Sequence, residues 1–418
     1  MLVVTGARLR ARPARDVRRD AIRLQNPTIR GTVHDALDDS YAAASDLAKL
    51  VHLTCADMPG PHVALDALAH TLNVQPAVLD DAVDELVEAN LVQLNGDTVA
   101  QHDLVRDHAR ERVDGGRLHL LRRYADWHRA KAVAASALIH SHRPLHAAEL
   151  GAAQGVFADR ADALDWWLRD QDVIHAVADA AAAQGWHEDV WQIAEAAWGF
   201  FLHYRDYERG LLLFTAGLHA ARQCKRPIIE ALMHHQLEFL CLESGWKDAA
   251  AAHRAAAAEI GEREQHGPTQ ATALSHRARA ARDSGDLEGS LPLYEASAAK
   301  HHDIGRRRGE ALAWRRMAEV MIELGRDDDA VRYLREAGPV FLHEDDPAQY
   351  AKATIVLAQI HARRGEHEQA RDELTVALAG VRRLRSPYFE SQVRAALDAL
   401  DRRHDADGTG AASGSDAS

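Results

Sequence analysis

A chain of 418 residues is long enough for two or three domains, or for one domain followed by a repeat array. It is 47% hydrophobic but only 6% aromatic, so its core must come largely from closely packed, alanine-rich helices. A net charge of −13 argues against a general nucleic-acid binder, and Cys55, Cys224 and Cys241, with no CxxC spacing, fit a reducing, cytoplasmic setting. No apolar run approaches the length of a membrane span, and a short apolar start followed by arginines gives no export signal.

In chain order, residues 1–30 carry eight arginines, two acids, Pro13 and Pro27, and read as a basic N-terminal connector. Residues 31–115 predict a small domain. Its first helix places Leu47, Leu50, Val51 and Cys55 at helical spacing, and "VALDALAHTL" gives a second. A third begins at Pro76, with Val78, Leu79, Val83, Leu86 and Val87 on one face. Asn95-Gly96 between two short apolar runs predicts a hairpin. Three helices followed by a hairpin is the order of a winged helix. Residues 116–204 predict a helical linker domain: a long helix over 117–143, then helices over 160–204 holding five of the eight tryptophans.

From residue 205 the chain repeats. Arg205, Gly245, Gly285, Gly325 and Gly365 are each 40 residues apart. Five residues after each comes a small residue (Gly210, Ala250, Ser290, Ala330, Ala370), and nine after comes Phe214, Arg254, Tyr294, Leu334 or Leu374. Ala278, Ala318 and Ala358 precede the later glycines by seven. Glycine turns the chain between antiparallel helices, small residues let the helices cross closely, and the large residue fills the next gap. This pattern resembles the tetratricopeptide repeat (TPR), lengthened to 40 residues, and the resemblance implies a right-handed superhelix over residues 205–402. Residues 403–418 are small, polar and expected to be disordered.

The order of hairpin, "HDLVRDHARERV", long helix, Trp-rich helices and repeats resembles the C-terminal half of a bacterial NB-ARC/STAND-type signal-transduction ATPase. That resemblance implies a histidine that contacts the β-phosphate of ADP, and Gln101-His102-Asp103 matches its motif. "VVTGARLRARP" is similar to the last helix of the preceding family domain. A phosphate loop needs Gly, Lys and a hydroxyl in series, and this chain has no Gly-Lys dipeptide and no Walker B strand end. His102 is therefore expected to be a structural residue, with Asp103 capping the next helix. No cofactor is expected.

Helix 77–90 carries Asp80, Asp81, Asp84, Glu85 and Glu88, and no Lys or Arg lies between Lys49 and Arg106. Phosphate contacts dominate DNA affinity, so this domain is expected not to bind nucleic acid. Arg8, Arg10, Arg12, Arg15, Arg18, Arg19 and Arg23 form the one basic arm, an alternative route to DNA. The 26 histidines include His140, His142, His146 and the pairs His234-His235 and His301-His302, but no HExxH, and no metal site is expected. Trp191 and Trp198 are spaced as helix core, and no catalytic constellation emerges.

What remains is a groove. Carrying over the TPR register gives His235, Phe239, Ser275, Arg279, Arg315, Glu319, Ile355 and Gln359 as partner-binding positions. The expected molecule is an all-α, non-enzymatic regulatory scaffold that binds a protein or peptide, with no membrane attachment. Two alternatives are a transcriptional regulator of the NB-ARC/TPR type touching DNA through the basic arm, and an ADP- or ATP-binding STAND fragment whose nucleotide core is missing or separate.

Overall fold

The computed structural model describes residues 27–113, 115–147 and 155–412, with side chains described between residues 34 and 402. The basic arm at Arg8–Arg23 and the segment likened to a preceding helix lie outside the described residues. Among those residues are eighteen α-helices and three short strands, divided between two compact units. Residues up to Lys131 with Arg169–Gly185 form the first, and Ala132–Leu168 with the chain from Trp186 onward form the second. The expected linker domain of residues 116–204 is thus shared out, because helices α6 (Leu118–Ile139) and α7 (Arg160–Ala183) each contribute to both units.

The first unit begins with α1 (Pro27–Ala43) and α2 (Asp46–Asp57). Then come β1 (Val63–Ala64), α3 (Leu65–Leu72), α4 (Pro76–Glu88), β2 (Gln93–Asn95), β3 (Thr98–Ala100) and α5 (Asp103–Arg110). Ser45 caps α2 and also fastens it to α4: its N–H and hydroxyl donate to the Glu85 carboxylate at 2.7 and 2.6 Å. The expected hairpin forms, with Asn95 opposite Thr98 and Gly96 at φ +63° in the turn. The two-residue strand β1 joins its other side, giving the antiparallel order β1-β3-β2. Val51, Leu68, Leu79, Val83, Leu86, Leu91 and Val99 are buried in the core. Val78 and Val87, expected on the same face, are exposed at 50% and 37%, because the stripe that packs is Leu79, Ala82, Val83 and Leu86.

The second unit is all-α and TPR-like. Besides residues 132–168, it contains α8 (His187–Tyr204), which packs on α9. Nine helices of 17 residues follow, starting every 20: α9 (Tyr207–Gln223), α10 (Pro227–Glu243), α11 (Lys247–Arg263), α12 (Gly267–Asp283), α13 (Leu287–Asp303), α14 (Arg307–Glu323), α15 (Asp327–His343), α16 (Pro347–Arg363) and α17 (His367–Arg383). The last is α18 (Pro387–Ala412). This final helix runs through ten residues of the segment expected to be disordered. Elongating a helix already nucleated by packing costs little, even for small polar residues.

Each turn contains one left-handed residue, at every twentieth position from Gly185 to Arg385. The four glycines spaced by 40 are four of those eleven residues. The other seven are Gly185 and Gly305 together with Arg205, Lys225, Gln265, Asp345 and Arg385, all at φ between +48° and +72°. The following N–H closes the helix on a carbonyl five residues back, as in Trp246 N to Cys241 O at 2.8 Å and Arg326 N to Met321 O at 2.7 Å. Ala250, Ser290, Ala330 and Ala370 have no exposed surface, and Phe214, Tyr294, Leu334 and Leu374 are buried beside them. Arg254 departs from the pattern because it pairs with the buried Glu238 at 3.1 Å.

Candidate binding surface

Two classes of helix alternate along the second unit. The even-numbered helices α8 to α18 pack beside one another as well as against the odd-numbered ones, and α18 returns to α8. At that meeting the His203 ring stands 5.6 Å from that of Phe389, and the Arg205 guanidinium lies 3.3 Å from the Tyr388 ring centre. Arg385 pairs with Asp165 at 2.7 Å. The even helices therefore make the inner layer, and its exposed side is the candidate surface.

The predicted groove positions divide in two. His235, Ser275 and Arg315 are buried, against the expectation that they face solvent. They sit in the seams between successive inner helices, since Ser275 receives a hydrogen bond from Arg316 and the His235 ring stands 4.7 Å from that of His276. Arg315 pairs with Glu319 one turn along its own helix. Gln236, next to His235, is buried as well, while His276 and Arg316 are half-buried. Phe239 packs edge-on against Trp198, Ile355 is half-buried, and Gln359 is exposed. Arg279 is 36% exposed and approaches Glu243 at 3.8 Å and Asp283 at 3.6 Å.

Part of this surface is covered by the chain itself. Residues 140–147 run across the inner layer in extended and turn conformation. The Arg143 guanidinium stands 5.6 Å from the Trp198 ring centre, and the Gln236 amide oxygen, turned toward it, accepts at 2.8 Å. His142 reaches Asp346 at 3.4 Å, the carboxylate that also caps α16 and pairs with Arg308 at 2.6 Å. The backbone N–H groups of His146 and Ala147 donate to Glu195, which has no exposed surface, and His146 Nδ1 contacts the same carboxylate at 2.7 Å. Gly199 makes the approach feasible, since a Cβ there would stand 3.1 Å from His140 Cβ.

Beyond that segment stand Arg279, Arg316 and Lys352, each half-buried. Lys352, one turn before Ile355, has its ammonium 5.3 Å from the Phe389 ring centre and is pushed down to about 7 by burial, then by Arg315. Burial also lowers Arg316 and Arg143 to about 10. The nearby carboxylates are already engaged, Glu319 by Arg315 and Arg282, and Glu243 by Arg205.

The nucleotide motif is placed differently from its expected role. His102, not Asp103, is the N-cap of α5, without a side-chain cap bond, and its exposed ring contacts Gln93 at 2.6 Å. Gln101 turns inward to His52 at 2.9 Å. On α4, Asp80, Asp81, Asp84 and Glu88 are exposed, while Glu85 is held by Ser45. Burial pushes the Cys55 thiol up to about 12 and the Cys224 thiol up to about 11, so both stay protonated at neutral pH. Sequence reasoning missed Arg143, Arg316 and Lys352. The first lies outside the repeats, and the other two stand off the carried-over register.

No protein-family model matches the chain, and no curated protein is similar to it. Among solved structures it is similar to a signal transduction ATPase with numerous domains (STAND) with a tetratricopeptide repeat sensor from Pyrococcus horikoshii, at 12% identity and TM-score 0.44. That likeness covers 86% of this chain and 54% of the other, so the chain spans about half that protein's length. It is also similar to aspartyl phosphate phosphatase F from Bacillus subtilis, at 13% identity and TM-score 0.40, over 58% of this chain and 69% of that one. A third similar structure, an APC/C hetero-tetramer, shows 12% identity and TM-score 0.33 over 79% and 65% of the two chains.

Proposed function

We propose that this chain is a non-enzymatic regulatory scaffold whose inner helical layer binds an acidic peptide segment of a protein partner. One observation carries the reading: the layer already holds an extended stretch of chain, residues 140–147, through side-chain contacts to Trp198, Gln236, Glu195 and Asp346. A surface that holds its own extended segment in this way has the shape and polar groups to hold another. Lys352 and Arg316, with no carboxylate paired to either, set the sign of the ligand.

The first unit reads best as a winged helix, supported by its helix–strand–helix–helix–hairpin order and the β1-β3-β2 sheet. Its exposed acids on α4 disfavour a groove-reading role, so it serves as an interaction or packing module. A winged helix followed by TPR-like helices supports the reading as part of an NB-ARC/STAND-type regulator acting in the cytoplasm. No helix among the described residues is long and apolar enough to cross a membrane.

The test is a photo-crosslinking residue placed in turn at Gln359, on the inner layer, and at Val376, exposed on α17. A Glu-rich peptide should crosslink at Gln359 and not at Val376. Crosslinking confined to Val376, or none at either, contradicts the proposal.

A further inference from the structure

Both ring nitrogens of His235 lie inside the fold without a hydrogen-bond partner, on a residue only 9% exposed. Buried polar atoms are nearly always paired, so an imidazole with two orphaned nitrogens calls for a ligand. Its surroundings supply the rest of a coordination set. Glu238, three residues on along α10 and on the same face, is 1% exposed. His276 enters from α12, and its Nδ1 lies 2.5 Å from Glu238 Oε2. One nitrogen from each histidine and one carboxylate oxygen all lie within 4.8 Å of one another.

We propose that His235, Glu238 and His276 form a three-ligand site for a divalent transition metal of the zinc class, with its fourth position open to water or a partner's side chain. Two imidazoles and one carboxylate suit zinc or cobalt, whereas calcium and magnesium take oxygen ligands. Tetrahedral bonds of about 2.0–2.2 Å need ligand atoms roughly 3.4 Å apart, so side-chain rotation has to open the His276–Glu238 contact as the metal enters between them. The second oxygen of Glu238 is already held by Arg254 at 3.1 Å, which fixes the carboxylate's orientation as outer partners of metal ligands do. An ion pair between His276 and Glu238 accounts for those two residues alone. It leaves His235 unsatisfied, whereas a metal engages one of its two nitrogens together with the other two residues.

A second group among the described residues, His34, Asp38 and His108, is a weaker set because Arg112 sits on the same Asp38 oxygen that His108 contacts, whereas Arg254 leaves the Glu238 oxygen beside His276 open. It provides the control. The full chain, stripped of metal, is titrated with Co²⁺ and followed by visible d–d absorption, with Zn²⁺ as competitor. One saturable equivalent with tetrahedral absorption is expected. His235→Gln and His276→Gln should weaken it by about 100-fold or more, since even outer partners are worth 10–100-fold, while His34→Gln should not. Because His235 is buried, the deciding variant is His276→Gln, whose ring is 19% exposed. Zn²⁺ should raise the melting temperature of the wild type and leave that of His276→Gln unchanged. No saturable tetrahedral absorption, or equal titration by the wild type and His276→Gln, overturns the site.

Discussion

Lys352 is a half-buried ammonium with an aromatic face beneath it and no carboxylate paired to it, and it should cost the fold stability. Replacing it with methionine keeps the stem's packing and removes the charge. Held at about 7 against an ordinary 10.5, the group binds fewer protons in the folded chain than in the unfolded chain between those two values. Stability therefore rises with pH across that window and is lost progressively as pH falls from 10.5 toward 7. Fully desolvated, such a group would cost about 4 kcal/mol at neutral pH, and partial exposure reduces this to about 1–3 kcal/mol. Lys352→Met should be more stable than the wild type by that amount at pH 7, and the difference should vanish at the alkaline end of the window. Urea unfolding followed by circular dichroism at both ends measures it. A variant less stable than the wild type at neutral pH, or equal pH slopes for the two, refutes the reasoning. Retaining a destabilising cation is what a binding residue does when its partner supplies the missing charge.

Other outcomes separate the surface from the core. Arg315→Glu sets two carboxylates together in a seam and should cost about 3 kcal/mol or more by thermal melting, whereas Arg279→Glu, at 36% exposure, should weaken acidic-peptide binding and leave the melt unchanged. Ala330→Leu overpacks a fully buried crossing beside Leu334 and Phe341 and should cost about 1–3 kcal/mol. Hydrogen exchange should show that loss in α13–α16 and not in α2–α5, because repeats lean only on their neighbours. His102→Ala removes an exposed ring that touches Gln93 and should change stability by no more than about 0.5 kcal/mol. The full chain should show no tight ADP binding by calorimetry, and micromolar binding lost in His102→Ala would contradict this.

The helical repeat was legible in the sequence because Gly245, Gly285, Gly325 and Gly365 punctuate it at a period no single helix explains. Its true step of 20 residues was hidden, since Arg205, Lys225, Gln265, Asp345 and Arg385 take the left-handed turn without glycine. Their side chains carry no pattern that marks it. The hairpin was readable from Asn95-Gly96, but β1, two residues long, offers no period. The groove was half legible. Of the carried-over positions, His235, Ser275 and Arg315 lie buried in seams, because contacts between successive helices are not written in the repeat's spacing. The covering segment at 140–147 was unreadable, because its contacts lie between about 48 and 204 residues away. The His-x-x-Glu spacing at His235 and Glu238 was visible, but its third member, His276, comes from the next repeat.

The most direct test of the central claim is the equilibrium binding of short labelled peptides, graded in Asp and Glu content, by fluorescence anisotropy. The wild type, Lys352→Met and Arg332→Met are compared, Arg332 being exposed on α15 away from the inner layer. Affinity should rise with peptide acidity and fall with added salt. It should drop about tenfold or more in Lys352→Met, the loss of one charge-assisted contact, and hold in Arg332→Met. Binding indifferent to acidity, or weakened equally by both substitutions, would contradict an inner layer built to receive an acidic segment.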